Sequence, residues 1–121
     1  MTSSTITLTA ADGFQLPAYV CEPAQAPKGA IVVLQEIFGV NSHIRSVADR
    51  FAAAGYLAVA LALFERVERG VEMGYGPDDM KRGSALKTAT EALPAPGVMP
   101  DIRAAVEHAR RAGKVGVVGY Y

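Results

Sequence analysis

Two short, wholly apolar runs separated by one helix-length segment constrain the fold of this chain more than any other feature. The first run is Ala30–Leu34 and the second covers residues 57–62. Runs of this kind are typical of strands buried on both faces of a sheet. Between them, apolar residues recur with the helical period, after Asn41 or Ser42 as a helix cap and before Gly55 as a helix end. The segment therefore predicts a βαβ unit with two parallel strands.

The residues before and after this unit predict a hairpin and a loop. Residues 5–9 and 14–20 alternate polar and apolar side chains on either side of an Ala-Asp-Gly turn signal, which predicts an N-terminal β-hairpin. Residues 64–76 carry mixed charges and several glycines without a clean period. They predict a long surface loop of the kind that often borders a site.

The C-terminal third predicts two further helices and a strand. Pro77 suits the first position of a helix over residues 77–93, and residues 101–111 place apolar side chains on one helical face. Residues 115–118 then predict a buried strand. The expected fold is α/β, with an N-terminal β-hairpin followed by parallel βαβ units in the order ββ-β-α-β-α-α-β and without an internal domain boundary.

The composition suits one such domain and argues against several other classes of protein. With 121 residues, of which 50% are hydrophobic, the chain is long enough to bury a core. Its 12 basic and 12 acidic residues balance, so no charge excess favours nucleic acid or an anionic membrane as a partner. One cysteine and two histidines provide no ligand set at zinc spacing. We expect a soluble, cytoplasmic protein without a metal or another cofactor.

The segment directly after the first buried strand is the strongest candidate for a site. It reads QEIFGVN over residues 35–41 and joins the predicted strand to the predicted helix. In open α/β sheets, ligands bind in the crevice at the carboxyl ends of the strands. A glutamate at a strand end is by itself more often solvated or helix-capping than catalytic, so its position alone assigns no role to Glu36.

Three segments together resemble the dienelactone hydrolases, a family with the α/β-hydrolase fold. They are residues 34–41, the Gly55-Tyr56 pair, and KVGVVGY at residues 114–120, which in that family leads into Cys-x-Gly-Gly. That turn presents the catalytic nucleophile. The resemblance spans nearly the whole chain and roughly the N-terminal half of a typical member. It implies that residues 1–121 form the N-terminal half of an α/β-hydrolase domain and end at the position of the nucleophile elbow.

The resemblance also implies a Cys-His-Asp hydrolase whose thiolate attacks the carbonyl of a lactone or small ester. Glu36 corresponds to the family carboxylate that influences ionisation of the nucleophile. Ile37 corresponds to the residue whose backbone N–H forms half of the oxyanion hole. Family members hold a substrate carboxylate with arginines, and Arg82 or Lys81 lies in about the corresponding region.

The chain departs from the family pattern at its nucleophile. Tyr121 stands where the family has cysteine, and it is not itself a nucleophile. The acid, the histidine and the second oxyanion donor have no counterpart among these residues. Leu63-Phe64 also stands where the family commonly has a Pro-Asp-Leu-Tyr-like sequence. We therefore expect the 121-residue chain to be inactive alone and its parent enzyme to be a divergent member.

The other chemically reactive side chains suit structural roles better. Cys21 is expected to be a small core residue of the hairpin. His43 and His108 are expected to be surface or capping residues, because in this hydrolase class the catalytic histidine follows the nucleophile. The ERVER cluster at residues 65–69 is expected to form a solvated loop or helix face.

Two non-catalytic interpretations stay open beside the hydrolase. A half-domain whose last strand, at residues 115–118, forms an unpaired sheet edge would associate as a homo-oligomer or strand-swapped assembly. Alternatively, the loop after the strand Ala30–Leu34 would bind small carboxylates. Turnover of an activated ester, concentration-dependent association, and saturable binding by a monomer distinguish the three.

Overall fold

Within residues 1–120, which the computed structural model describes, five strands and three α-helices follow one another in the predicted order. The strands are β1 Thr2–Thr9, β2 Gln15–Glu22, β3 Ala30–Leu34, β4 Leu57–Leu61 and β5 Val115–Gly119. The helices are α1 Ser42–Ala53, α2 Pro77–Glu91 and α3 Met99–Ala109, and a 3-10 turn at Arg110–Ala112 follows α3. The predicted α/β class and element order are confirmed. Of the helices in this described part of the chain, none is long and apolar enough to cross a membrane.

The five strands form one mixed sheet in the order β1-β2-β4-β3-β5. β3 lies between β4 and β5 and is parallel to both, with Val32 opposite Val59 on one side and Val117 on the other. β2 runs antiparallel to β1 and to β4. The carboxyl ends of β3, β4 and β5 therefore meet at one edge of the sheet, where ligand sites of open α/β sheets lie.

Helix α1 begins and ends at the residues that the sequence predicts. Asn41 is the N-cap, and its Oδ1 accepts the backbone N–H of Ile44 at 3.1 Å. Gly55 lies just past the helix with φ +102°, a conformation that favours glycine. The buried face of the helix includes Val47 and Ala48. The connection from β3 through α1 to β4 is the predicted βαβ unit.

Helices cover both faces of the central strands, which explains why those strands read as continuous apolar runs. Val32 and Val59 belong to one core cluster together with Ala105 of α3. Their neighbours Val33 and Ala60 point to the opposite face and join the cluster that contains α1. Because successive side chains of a strand alternate between faces, both faces of β3 and β4 must be apolar.

The prediction that residues 115–118 form a buried strand is correct about the strand and wrong about its burial. Val117 is 52% exposed and Val118 is half-buried. β5 lies at the end of the sheet order, and among residues 1–120 it pairs only with β3. An edge position exposes apolar side chains that a central position would cover.

The prediction of a surface loop over residues 64–76 is correct about irregular structure and only partly correct about exposure. Phe64, Val71 and Met73 are buried, and they form a third core cluster with Phe38 and Leu86. The segment therefore packs against both α2 and the loop that follows β3. We call residues 63–76 the clamp loop.

The prediction that residues 65–69 form a solvated face is correct for Val67 and Arg69, which are exposed, and wrong for Glu65 and Arg66. Arg66 donates to Asp101 of α3 through Nε and Nη2, at 2.9 and 2.7 Å, and to Asp12 of the hairpin turn, at 2.8 and 3.0 Å. Asp101 is 1% exposed, and the Arg66 guanidinium lies 4.4 Å from the centroid of the Phe14 ring. Glu65 is also buried, and its Oε2 accepts the Gly70 N–H at 2.8 Å. These charges join the clamp loop to α3 and the hairpin.

The cysteine and the two histidines differ in their burial. Cys21 is a buried core residue of β2, and His43 is exposed in the first turn of α1, both as predicted. His108 is half-buried rather than at the surface, and its Nε2 has no hydrogen-bond partner in the described part of the chain. Burial is the main cause that lowers the pKa of His108, with a further contribution from Arg111.

Candidate active site

The loop after β3, residues 35–41, is tied to the end of the adjacent strand by a buried glutamine. The Oε1 of Gln35 accepts the backbone N–H of Leu63 at 2.9 Å, and its Nε2 donates to the carbonyl of Glu36 at 3.1 Å. Leu63 follows β4, so this side chain bridges the carboxyl ends of two parallel strands. Glu36 and Ile37 thereby lie at the sheet edge where the sequence analysis placed the site.

A glycine lets the clamp loop press directly on this strand-end loop. Gly39 has φ +84°, and a Cβ built on it would lie 2.1 Å from the carbonyl oxygen of Val71. The Gly39 N–H donates to the carbonyl of Glu36 at 3.2 Å, and the Met73 N–H donates to the carbonyl of Phe38 at 2.9 Å. Only glycine permits both this backbone conformation and this approach.

Helix α2 lies against the backbone of Ile37. A Cβ on Gly83 would be 2.5 Å from the Ile37 carbonyl oxygen, so the helix and the peptide are in direct contact. Among residues 1–120, no hydrogen-bond acceptor is paired with the Ile37 N–H. The carbonyl side of this residue is held in place, and its N–H is available to an acceptor outside the described contacts.

The carboxylate of Glu36 is held by a tyrosine that the sequence analysis did not single out. The hydroxyl of Tyr75 donates to Glu36 Oε1 at 2.6 Å. The amide Nδ2 of Asn41 donates to Tyr75 Oη at 3.2 Å and to the carbonyl of Met73 at 3.1 Å. The residue that caps α1 therefore also fixes the clamp loop and the tyrosine. An aromatic residue between glycines in a site-bordering loop is the sequence signal that points to Tyr75.

The Tyr75 ring contacts two other aromatic side chains. It packs edge to face on the buried Phe38 ring, with the two centroids 4.5 Å apart. The centroid of the His43 ring lies 6.5 Å from the centroid of the Tyr75 ring. Desolvation raises the pKa of the Tyr75 hydroxyl, and its hydrogen bond to the Glu36 carboxylate raises it further. The hydroxyl therefore stays protonated and remains a donor at neutral pH.

The two cations proposed for substrate binding lie on the first part of α2, apart from the carboxylate. Arg82 is exposed and forms an ion pair with Glu68 of the clamp loop, and Lys81 is exposed. In the described part of the chain, no hydrogen bond or ion pair joins either of them to Glu36. Both precede Gly83, which contacts Ile37, so α2 itself lies at the site. The structure nevertheless pairs neither cation with the Glu36 carboxylate. Tyr121 lies outside the described residues.

A cavity of about 200 Å³ opens beside the strand-end loop. Its lining includes Val40, Arg45 and Glu72 but not Glu36. Arg45 is fixed there by the Val40 carbonyl at 3.0 Å and by Glu72 at 2.7 Å. The cavity borders the candidate site without containing its carboxylate. Among residues 1–120, no cluster of three or more metal-ligating side chains is present.

The parallel strands with helices on both faces form an open α/β sheet, and comparison with solved structures identifies it as part of the α/β-hydrolase class. A solved structure of a proposed dienelactone hydrolase from Klebsiella pneumoniae superimposes with a TM-score of 0.72 at 28% identity, covering 99% of this chain and 50% of that one. A dienelactone hydrolase-like promiscuous phosphotriesterase from metagenomic libraries shares the fold, with a TM-score of 0.67 at 18% identity over 99% of this chain and 50% of that one.

Sequence comparison narrows the class to a family. Residues 16–121 match the dienelactone hydrolase family, and the chain belongs to that family. The carboxymethylenebutenolidase of Pseudomonas putida is 34% identical over 124 residues, which cover 99% of this chain and 52% of that protein. A proposed carboxymethylenebutenolidase of Synechocystis sp. is 37% identical over 112 residues, covering 88% of this chain and 44% of the relative. The chain thus spans about half the length of these relatives.

Proposed function

We propose that residues 1–121 form the N-terminal half of a hydrolase domain, and that the complete domain cleaves a lactone or small ester through a Cys-His-Asp triad. The support for the chemistry comes from family membership and not from the fold, because one fold can host many functions. The observation that carries the proposal is the anchored loop after β3, which holds the Glu36 carboxylate and the Ile37 N–H together at the carboxyl edge of the sheet. The partner of the complete protein is a small molecule, neither nucleic acid nor membrane.

In this proposal the two residues have separate tasks. The Ile37 N–H donates to the oxyanion that forms when a thiolate attacks the substrate carbonyl. The Glu36 carboxylate, next to the nucleophile, accepts its proton and so raises the thiolate fraction. Collapse of the tetrahedral intermediate breaks the ester C–O bond, the leaving alcohol oxygen takes a proton from the triad histidine, and water then hydrolyses the acyl-enzyme. Arg82 would bind a substrate carboxylate after its ion pair with Glu68 opens, and Lys81 is the second candidate on the same helix.

The same proposal holds that the 121-residue chain does not catalyse hydrolysis by itself. Its single thiol, Cys21, is buried in β2, and burial together with the neighbouring Asp49 raises the pKa of that thiol to about 11. A buried thiol with a raised pKa is a poor nucleophile at neutral pH. Cys21 belongs to the core cluster of α1, apart from the cluster under the Glu36 loop.

Hydrolysis of p-nitrophenyl acetate tests the proposal in a fusion of this chain to the C-terminal half of the Pseudomonas putida carboxymethylenebutenolidase. With Tyr121→Cys, we expect saturable turnover, because the fusion then has the thiol that the family pattern requires at this position. With Tyr121 kept, and in the isolated chain, we expect none. Glu36→Gln in the active fusion is expected to lower kcat/KM by roughly 100-fold, the order typical of general acid–base groups.

Glu72→Gln is the matched control, because its carboxylate pairs with Arg45 beside the site and not with the proposed nucleophile. It should leave kcat/KM nearly unchanged. A folded Tyr121→Cys fusion without turnover would refute the hydrolase proposal. Turnover by the isolated chain that Glu36→Gln abolishes would refute its proposed inactivity.

Self-association is a second candidate, because the structure leaves one edge strand apolar and open. Among residues 1–120, β5 pairs only with β3, and Val117 on it is 52% exposed. An exposed apolar edge strand is a template for pairing with a second chain. We propose that two copies of this chain pair along β5, as a homodimer or a strand-swapped assembly.

The oligomeric state of the 121-residue chain checks this second candidate. Light scattering with size exclusion should show mass rising with protein concentration, and Val117→Lys should return the chain to a monomer, since the charge cannot be buried between strands. Val67→Lys is the control, because Val67 is an exposed valine of the clamp loop away from any strand. A monomer with a sharp, concentration-independent melt would overturn the candidate.

A further inference from the structure

Among residues 1–120, Tyr75 is the one side chain that donates a hydrogen bond to the proposed catalytic carboxylate. Its hydroxyl lies 2.6 Å from Glu36 Oε1, although the two residues are 39 positions apart. The ring is 53% exposed at the surface of the site, while its inner edge packs on Phe38. Exposure of the ring combined with a fixed hydroxyl suits a group that acts on its neighbour rather than one that fills a core.

The direction of this hydrogen bond is determined by a second donor. Asn41 Nδ2 uses one hydrogen on the Met73 carbonyl and the other on Tyr75 Oη. Because the tyrosine oxygen already accepts from the amide, its single proton is directed to the Glu36 carboxylate. Asn41 is itself fixed, since its Oδ1 caps α1. The chain of donors thus runs from the helix cap to the carboxylate and cannot reverse while the amide holds this orientation.

We propose that Tyr75 is a positioning residue for Glu36: its hydroxyl occupies Oε1, so that only Oε2 is free to exchange a proton with the nucleophile. This inference rests on the proposed function for the role of Glu36, whereas the contact itself does not. Tyr75 would therefore set which of the two carboxylate oxygens takes part in proton transfer.

The titration of Tyr75 in the 121-residue chain tests the contact without any turnover. The chain has five tyrosines, and the difference in tyrosinate absorbance between the parent chain and Tyr75→Phe isolates this one. We expect its pKa above the ordinary tyrosine value, and lower by a measurable margin in Glu36→Gln, which removes the negative charge. Glu72→Gln should leave it unchanged.

Two other titratable groups face the clamp loop near Tyr75. They are His43 of α1, whose ring lies 6.5 Å from the tyrosine ring, and Asp79 of α2, whose Oδ2 lies beside Gly74. The His43→Gln and Asp79→Asn variants therefore accompany the titration. A Tyr75 that titrates at the ordinary value, or that responds to these two variants and not to Glu36→Gln, would overturn the proposal.

The active fusion tests the consequence for catalysis. Tyr75→Phe keeps the ring on Phe38 and removes only the hydroxyl. We expect kcat/KM to fall roughly tenfold at neutral pH, the loss of one hydrogen bond to a charged group. The loss should fall on kcat with KM nearly unchanged, because the hydroxyl contacts the Glu36 carboxylate. A loss carried by KM, with kcat unchanged, would refute the positioning role. An inactive Tyr121→Cys fusion would refute the proposed function instead, and the titration would still decide the contact.

Discussion

Replacing Arg66 with methionine is expected to lower the free energy of unfolding by about 3 kcal/mol, the cost typical of removing one partner from a buried ion pair. Asp101 is 1% exposed and its two oxygens accept from the Arg66 guanidinium, so the variant leaves a carboxylate buried without its cation. Methionine keeps an apolar stem of similar length but also removes the guanidinium that lies over the Phe14 ring. Denaturant unfolding of the 121-residue chain measures the loss.

Arg103→Met is the matched control, because Arg103 is an exposed arginine of α3. Exposed substitutions of this kind usually change stability by less than about 0.5 kcal/mol. If Arg66→Met costs no more than the control, the Asp101 pair does not hold the clamp loop.

The pH dependence of stability provides a second readout of the Arg66 network. The hydrogen bond from Arg66 is the main cause that lowers the pKa of Asp12, with a backbone hydrogen bond from Phe14 second. Because the folded-state pKa is below the unfolded one, the stabilisation is present above the usual aspartate range. It is lost as the pH falls through the lower folded value. In Arg66→Met this loss of stability at acid pH should shrink.

Replacing Gly39 with alanine is expected to destabilise the chain by about 3 kcal/mol, the sum of left-handed backbone strain and overpacking. The backbone at this position has φ +84°, and the new Cβ would lie 2.1 Å from the Val71 carbonyl oxygen. Either the strand-end loop or the clamp loop has to move. Since both hold the environment of Glu36, the Tyr121→Cys fusion should lose activity together with stability.

Gly70→Ala separates the two causes. Gly70 has φ +71°, and a Cβ there would meet no atom within 4 Å. Its cost should therefore be the backbone strain alone, roughly 1 to 2 kcal/mol. Equal losses of unfolding free energy in the two variants would mean that the close approach of Val71 to the strand-end loop is not part of the folded state.

The Arg66→Met and Gly39→Ala variants both act on the clamp loop, which connects the core to the site. Arg66 attaches the clamp loop to α3 and to the hairpin turn, and Gly39 lets that loop seat on the strand-end loop. Farther along the clamp loop, Tyr75 reaches the Glu36 carboxylate. Ion pairing at one end of the segment thereby supports the geometry of the candidate site at the other.

Much of the fold and part of the candidate site could be predicted because their signals are local. The apolar runs of β3 and β4, the Asn41 cap and the glycine after α1 lie within one βαβ unit, and each was predicted from neighbouring residues. The motifs at residues 34–41 and 114–120 were also enough to predict the family, which the comparison confirms. The roles of Glu36 and Ile37 remain predictions, and the fusion experiment tests that of Glu36.

The amino-acid sequence by itself determined the elements, their order, the βαβ unit and the family, because periodicity, caps and motifs are properties of adjacent residues. Only the tertiary structure decided that Arg66 and Asp101 are buried together, that Tyr75 meets Glu36, and that β5 lies exposed at an edge. The two side-chain contacts join residues that are 35 and 39 positions apart in the chain. Their energies depend on burial and on which groups the fold brings within hydrogen-bonding distance, and no local pattern records either quantity.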